Sequence, residues 1–158
     1  MKFFIKRGTA CLDGFTIYNG NAEPVYTAYV EASSSLRITM KDSDGQNVSV
    51  IKFNNFVLNY FTIRCSRRFY ALVPCINNQF SFAIYGSTFR FIGSIADGRF
   101  SMLNSDGEVI MTQKKCWTQQ GEGYEINITD GQYHIFMLSV ALCADMYIAL
   151  TESHPIPT

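Results

Sequence analysis

The sequence predicts a mainly β protein, a closed antiparallel β-barrel of about twelve strands around a buried hydrophobic C-terminal α-helix. Three observations predict this fold. Dipeptides that form tight turns recur between short apolar runs. Those runs alternate apolar with polar residues, which is typical of strands with one buried face. Near the C-terminus, one longer segment is apolar on every side.

The alternation of period two is clearest at 36–41, where Leu36, Ile38 and Met40 alternate with polar residues. Aromatic and β-branched residues are frequent in these runs, as they are in strands. The runs predict strands near 2–7, 15–18, 25–31, 36–41, 48–54, 58–65, 69–76, 80–86, 88–94, 99–103, 108–115 and 123–129.

Six dipeptides are of the kind that supplies positive φ in tight hairpins, which favours antiparallel pairing of neighbouring runs. They are Asp13-Gly14, Asn19-Gly20, Asp44-Gly45, Asp97-Gly98, Asp106-Gly107 and Asp130-Gly131.

The segment from Ile135 to Leu150 predicts a helix, with Thr129 or Asp130 as its N-cap. Its only polar residues are Ser139 and Asp145. A membrane span is the weaker interpretation, because a bilayer needs roughly 20 residues and Asp145 would lie inside it. A helix lying on a sheet would have a wet face. The strands are therefore expected to enclose this helix.

Composition indicates one domain, residues 1–150, followed by a short C-terminal tail, 151–158. The 13 basic and 13 acidic residues cancel, which argues against general binding of nucleic acid. The five cysteines form no C-x-x-C pair, so free thiols in a reducing cytosol are expected. The opening "MKFFIKR" lacks the apolar stretch of a secretory signal, and a cytoplasmic location is expected.

An enclosed helix leaves no interior room for a ligand, so binding is expected on the outer wall, the loops or the barrel ends. The basic pairs Lys6-Arg7, Arg67-Arg68 and Lys114-Lys115 are candidates for phosphate contacts. Neighbours in a strand point to opposite faces, so a pair acts together only in a turn. Arg67-Arg68 fits that condition best, with Arg64 nearby on the outer face; a solvated turn is the alternative.

Asp145 is expected to be a buried structural residue that ties the helix to the barrel end, because an isolated carboxylate in an apolar setting is costly. A general acid with a raised pKa is the alternative if a cleft opens there. His134 and His154 are too few for a metal site, and neither a metal nor a cofactor is expected. Cys116 is either a thiol of lowered pKa or, more simply, a buried cysteine at a strand end.

The chain resembles the tubby C-terminal-like superfamily, and most of all its LURP-one-related branch, which is related to phospholipid scramblases. The segments "FFIKR", "FTIYNGNAEPVYTAYV", "LRITMKDSDGQNVSVIKF", "FRFIGSIADGRFSMLNSDGEVIMTQKKCW" and "YEINITDGQYHIFMLSVALCADMYIAL" carry the resemblance through their order and spacing. The resemblance implies a twelve-stranded barrel around a hydrophobic C-terminal helix. Tubby proteins bind phosphoinositides through basic residues on the barrel exterior. Scramblase activity is not carried over, because the acylated and Pro-rich extension of scramblases is missing.

These observations predict a non-catalytic intracellular binding module, peripheral at the membrane, that recognises phosphoinositide or other anionic lipid headgroups on the barrel exterior. The candidate lipid-phosphate residues are Arg64, Arg67, Arg68, Lys114 and Lys115. A protein-interaction or scaffold domain is the alternative, and an unrecognised enzyme is the second alternative.

Overall fold

The computed structural model describes residues 1–8, 13–32, 35–55, 58–75, 81–118 and 121–153. These residues form one antiparallel sheet of 12 strands and one long C-terminal helix. The strands are β1 (Lys2–Arg7), β2 (Phe15–Asn19), β3 (Pro24–Ala32), β4 (Leu36–Asp42), β5 (Asn47–Asn54), β6 (Tyr60–Cys65), β7 (Arg68–Cys75), β8 (Ser81–Tyr85), β9 (Arg90–Ser94), β10 (Arg99–Leu103), β11 (Val109–Thr118) and β12 (Gly121–Ile128).

The sheet curls into a nearly closed barrel, which confirms the predicted architecture. Its strand order is β8-β7-β6-β5-β4-β3-β2-β1-β12-β11-β10-β9. Every hydrogen-bonded pair of strands is therefore adjacent in sequence, except β1 with β12. The two outermost strands, β8 and β9, lie side by side. The rings of Phe82 on β8 and Phe91 on β9 meet edge to face across this junction, with their centroids 5.5 Å apart.

Helix α1 (His134–Ser153) occupies the barrel interior and is longer than the predicted Ile135–Leu150. It follows a 3-10 turn at Gly131–Tyr133, where the Asp130 side chain accepts a hydrogen bond from the backbone N–H of Gln132. The argument that the helix is too short to span a membrane is therefore wrong, because Gly131–Thr151 suffices by length and composition. Burial is the better argument against a membrane span, since 72% of the most apolar window of this segment lies inside the protein.

The core forms between the inner face of the strands and all sides of α1. Phe136 stacks on Tyr70 of β7 with ring centroids 4.0 Å apart. The ring of Tyr147 lies edge-on to that of Phe82 of β8, with centroids 6.0 Å apart. Ser139 is buried too. Its hydroxyl donates to the carbonyl of Ile135 one turn earlier and lies 2.7 Å from the Ser49 hydroxyl, so Ser49 donates to Ser139.

One ion pair joins the far end of α1 to the barrel wall. Asp145 is 2% exposed, and its Oδ2 lies 2.7 Å from both Nε and an Nη atom of Arg7 at the end of β1. Tyr124 of β12 also interacts with this carboxylate: burial first and the Asp145 charge second raise the pKa of the Tyr124 hydroxyl. The carboxylate is thus compensated by a cation and a hydroxyl, as a buried charge requires.

Three hairpin loops at the same end of the barrel share one geometry. Asn19, Asp42 and Asn104 each accept, through side-chain Oδ1, hydrogen bonds from the backbone N–H groups two and four residues later. The fourth residue of each loop has positive φ: Gly45 (78°) and Gly107 (82°), but Ala22 (64°) in the first. The expectation of positive φ at Gly20 was wrong, because the Asn19 side chain sets the loop and moves that conformation to residue 22.

Within the described residues, the predicted strand bounds hold to within about two residues except at the β11–β12 hairpin. The predicted strand end at 76 and strand start at 80 lie outside the described residues. At the β11–β12 hairpin, β11 extends to Thr118, and Cys116, Trp117 and Thr118 pair with Gly123, Glu122 and Gly121. Sequence pattern missed this extension because these residues do not alternate between apolar and polar.

We predict that Ala22→Gly stabilises the protein. A residue with a Cβ in the left-handed region costs roughly 1 kcal/mol, although glycine loses more entropy on folding, so the net gain is below about 1 kcal/mol. Thermal unfolding measures it. Gly45→Ala is the matched control and should lower the melting temperature, because it introduces the strain that Ala22→Gly removes. A lower melting temperature for Ala22→Gly would contradict the loop comparison.

We also predict that Arg7→Met lowers the free energy of unfolding by about 3–5 kcal/mol, because it leaves the buried Asp145 carboxylate without its cation. The double variant Arg7→Met with Asp145→Leu should recover much of that loss, since no buried charge remains. Urea unfolding provides the measurement.

The matched control is Lys6→Met, which removes the neighbouring charge on the outer side of β1 and should change stability by less than about 0.5 kcal/mol. Equal effects of Arg7→Met and Lys6→Met would show that the ion pair does not stabilise the fold.

Candidate functional site

The structure distributes the five predicted phosphate-binding residues over four locations. Arg64 lies on the outer wall of β6, Arg67 is in the β6–β7 turn, and Arg68 begins β7 opposite Cys65, on the inner side of the sheet. Lys114 and Lys115 lie on β11, on the far side of the barrel. Their surroundings also differ, because Lys114 Nζ is 3.6 Å from the Glu125 carboxylate. The chain therefore does not bring the five residues into one site.

A small depression on the outer wall contains Arg64 together with two cations that sequence analysis did not select. We call it the outer groove; it has a volume of about 100 Å³ and spans strands β4 to β7. The residues lining it are Arg37, Val50, Lys52, Thr62, Arg64 and Phe69.

Strand register explains how the cations of the outer groove come together. Arg37 of β4 is directly opposite Lys52 of β5, and Arg64 of β6 is opposite Val50, two residues before Lys52. Like charges placed directly opposite on a sheet are unfavourable. Glu31 of β3 is opposite Arg37 on its other side, but no carboxylate lies within 4.0 Å of these three cations in the part of the chain that the structure describes.

An exposed aromatic ring borders the same cations. Phe69 of β7 pairs with Arg64 and is 57% exposed. On β3, Tyr29 is also exposed, and Lys41 Nζ lies 5.6 Å from the centre of its ring. The surface thus combines basic groups with solvent-facing apolar area, an arrangement that suits the boundary between lipid headgroups and acyl chains.

A second basic feature lies at the barrel end where α1 begins. It is a cavity of about 220 Å³ between the β6–β7 hairpin and the first turns of the helix, and we call it the mouth cavity. The residues lining it are Cys65, Ser66, Arg68, Tyr70, Gln132, Tyr133, Ile135 and Phe136. The Arg68 guanidinium lies 5.6 Å from the centre of the Tyr133 ring, and interactions with the Tyr70 and Tyr133 hydroxyls raise the pKa of Arg68.

Cysteine chemistry finds no support among the described residues. Cys65, Cys75, Cys116 and Cys143 are free thiols, and Cys11 lies outside the described residues. Burial, followed by the Glu125 charge, raises the pKa of the Cys116 thiol, so the alternative of a lowered pKa is wrong. Burial also raises the pKa of Cys65 to about 11. Such thiols are poor nucleophiles near neutral pH.

His134 has a structural environment at the start of α1. Its Nε2 lies 2.9 Å from the Tyr26 hydroxyl, its Nδ1 lies 2.8 Å from the carbonyl of Gly131, and its ring stacks on Phe3. His154 is outside the described residues. Within the described ranges, no group of three or more His, Cys, Asp or Glu residues is arranged to hold a metal ion.

Arg37 and Lys52 were missed because they are isolated basic residues in their own strands. Sequence alternation does indicate that both face outward, as it does for Arg64. It does not show which residues are opposite each other across β4, β5 and β6. A search for outward-facing cations in consecutive predicted strands would have selected them.

Comparisons with known proteins agree with this architecture. The chain is similar to a protein from Arabidopsis thaliana of known crystal structure, with 13% identity and a TM-score of 0.65, over 91% of this chain and 88% of that one. At that identity the likeness concerns the fold alone. No curated protein matches the chain. The family model described as LURP-one-related matches residues 1–145, and the chain therefore belongs to the LURP-one-related family.

Proposed function

We propose that this chain is a non-catalytic binding module that recognises anionic lipid headgroups, such as phosphoinositides, through the outer groove. In this proposal it acts in the cytoplasm and attaches peripherally to a membrane. Family membership and the barrel fold fit a binding domain. The lipid class is inferred from the charge and shape of the groove.

The observation that carries the proposal is the position of Arg37, Lys52 and Arg64 on three adjacent strands. Adjacent strands are about 4.8 Å apart, so outward-facing cations on them lie close enough to contact one multiply charged headgroup. Arginine adds planar, paired N–H donors that match phosphate oxygens. Phe69, more than half exposed beside Arg64, supplies apolar area for the acyl-chain boundary.

Simple electrostatics sets the size of the expected effect. A basic residue near an anionic leaflet contributes roughly 1 kcal/mol, and this contribution decays within about one Debye length, roughly 10 Å at 0.1 M salt. Three such residues therefore give roughly 3 kcal/mol, or about a hundredfold in the partition coefficient. The binding is expected to be strongly sensitive to salt.

A protein-interaction role is the second candidate, favoured by exposed apolar residues on the opposite side of the barrel. Trp117 of β11 is 83% exposed, and Val109 of β11 and Ile92 of β9 are also exposed. Large apolar side chains on a surface often mark contacts with a partner. Binding of the protein to membranes through the outer groove would leave this other surface available.

Vesicle co-sedimentation tests the lipid proposal. We expect the protein to bind phosphatidylcholine vesicles that contain a phosphatidylinositol phosphate, and not vesicles of phosphatidylcholine alone. Raising the salt from about 0.05 to about 0.5 M should weaken the binding. The double variant Arg37→Gln with Arg64→Gln should reduce the partition coefficient by roughly tenfold or more, because it removes two of the three contributing charges.

The matched control is Arg90→Gln with Arg99→Gln, which removes the same net charge from exposed sites on β9 and β10. It should retain most of the binding. Equal losses in the two double variants would indicate nonspecific attraction by overall charge. Absence of binding at low salt would overturn the lipid proposal and favour a protein partner.

A further inference from the structure

The mouth cavity is separate from the outer groove, although the two share the β6–β7 hairpin. Arg64 pairs with Phe69 and faces outward, whereas Arg68 pairs with Cys65, whose side chain is buried. Since successive side chains in a strand alternate between faces, the register directs Arg64 and Arg68 to opposite sides of the sheet. A ligand in the mouth cavity would therefore not compete with one in the outer groove.

The cavity combines an apolar floor with a polar rim. Phe136 and Tyr70 are buried and stacked on each other, and Ile135 completes the floor. The rim carries Arg68, Ser66 and Gln132 with the Tyr133 hydroxyl. No carboxylate is among the residues that line the cavity.

The chemistry of these groups favours an anion. The guanidinium of Arg68 lies 5.6 Å from the centre of the Tyr133 ring, Tyr70 lines the same cavity, and the two tyrosine hydroxyls raise the pKa of Arg68. Each phenolic hydroxyl also has its own hydrogen to donate. Within the described residues no carboxylate pairs with Arg68. One cation and two hydroxyl donors thus converge without an anionic partner, and Ser66 and Gln132 add further donors beside them.

The backbone that presents Arg68 is strained. The two-residue turn before it consists of Ser66 and Arg67, with φ of 50° and 60°. Hairpins of this type usually use Asn-Gly or Gly-Gly, because residues with a Cβ are unfavourable at positive φ. The tight turn leads directly into Arg68, which lines the cavity together with Ser66. Strain of this kind is concentrated at binding sites.

We propose that the mouth cavity binds a phosphate monoester. Its oxygens would accept hydrogen bonds from Arg68, the Tyr70 and Tyr133 hydroxyls and Ser66, while the apolar floor contacts the carbon atoms of the esterified group. A volume of about 220 Å³ is below the roughly 300–1,000 Å³ of most ligand pockets, so the site suits a phosphate on a small group and excludes an acyl chain.

Phosphate fits the donors better than carboxylate does. The donors come from the β6–β7 hairpin and from the 3-10 turn that precedes α1, on two sides of the cavity. A monoester presents three terminal oxygens in a tetrahedral arrangement, whereas a carboxylate presents two in one plane. The ester can come from a soluble compound or from a lipid such as phosphatidic acid, and both sources share the chemistry that the cavity recognises.

Titration of the ¹⁵N-labelled protein followed by amide NMR shifts tests the proposal. The probes are inorganic phosphate, glycerol phosphate and, as a negative control, acetate. We expect both phosphates to shift the amide signals of Ser66, Arg68, Gln132 and Tyr133, and acetate to bind at least tenfold more weakly. Arg68→Gln should reduce the affinity for glycerol phosphate by about tenfold or more, and Tyr133→Phe should reduce it by roughly two- to tenfold.

Matched controls are Arg90→Gln and Tyr85→Phe, which remove an exposed guanidinium and an exposed hydroxyl elsewhere and should leave the affinity unchanged. Far-ultraviolet circular dichroism confirms that each variant is folded. A second arm compares phosphatidic acid vesicles with phosphatidylcholine vesicles. Arg68-dependent binding to phosphatidic acid would assign the lipid source, and Arg68-dependent binding of glycerol phosphate alone would assign a soluble one.

Three results would overturn the proposal: an unchanged affinity of Arg68→Gln for glycerol phosphate, equal amide shifts with acetate and with phosphate, or phosphate-induced shifts centred on Lys52 and Arg64. The last result would transfer phosphate recognition to the outer groove and would support the function proposed above. The two proposals therefore fail separately.

Discussion

Enclosure of α1 is the constraint on which the rest of the structure depends. The helix is apolar on every side, so no arrangement that leaves one side in water would be stable. Twelve strands surround it, and their inner residues contact the helix from several directions. The few polar groups in this interior need partners. Ser139 finds one in Ser49, and Asp145 finds its partners in Arg7 and Tyr124.

A filled barrel confines recognition to its outer wall and its two ends. The β6–β7 hairpin serves both locations because side chains alternate between its faces. Arg64 contributes to the outer groove, and Arg68, after a two-residue turn, contributes to the mouth cavity. The two surfaces have different neighbours. The outer groove is bordered by an exposed ring, whereas the mouth cavity has an apolar floor and tyrosine hydroxyls.

Sequence reasoning reached part of this arrangement. It selected Arg64, because alternation in β6 places that residue on the wet face. It also selected the Arg67-Arg68 turn, but expected the pair to act together, whereas the structure leaves Arg67 in the turn and directs Arg68 to the inner side. The sequence also did not show that Lys114 lies beside Glu125, its partner across β11 and β12, which is 11 residues later in the chain. Adjacent basic residues in a sequence are poor evidence for a shared site in a sheet.

The sequence by itself determined the strands, most of the turns and the helix, because each depends on interactions between residues a few positions apart. Alternation sets which side of a strand is buried, and Asp or Asn side chains organise their own loops. The tertiary structure decided which cations become neighbours and what compensates Asp145. Arg7 lies 138 residues before Asp145. The pair forms only when β1 meets β12 and the helix enters the barrel, and no local pattern encodes that meeting.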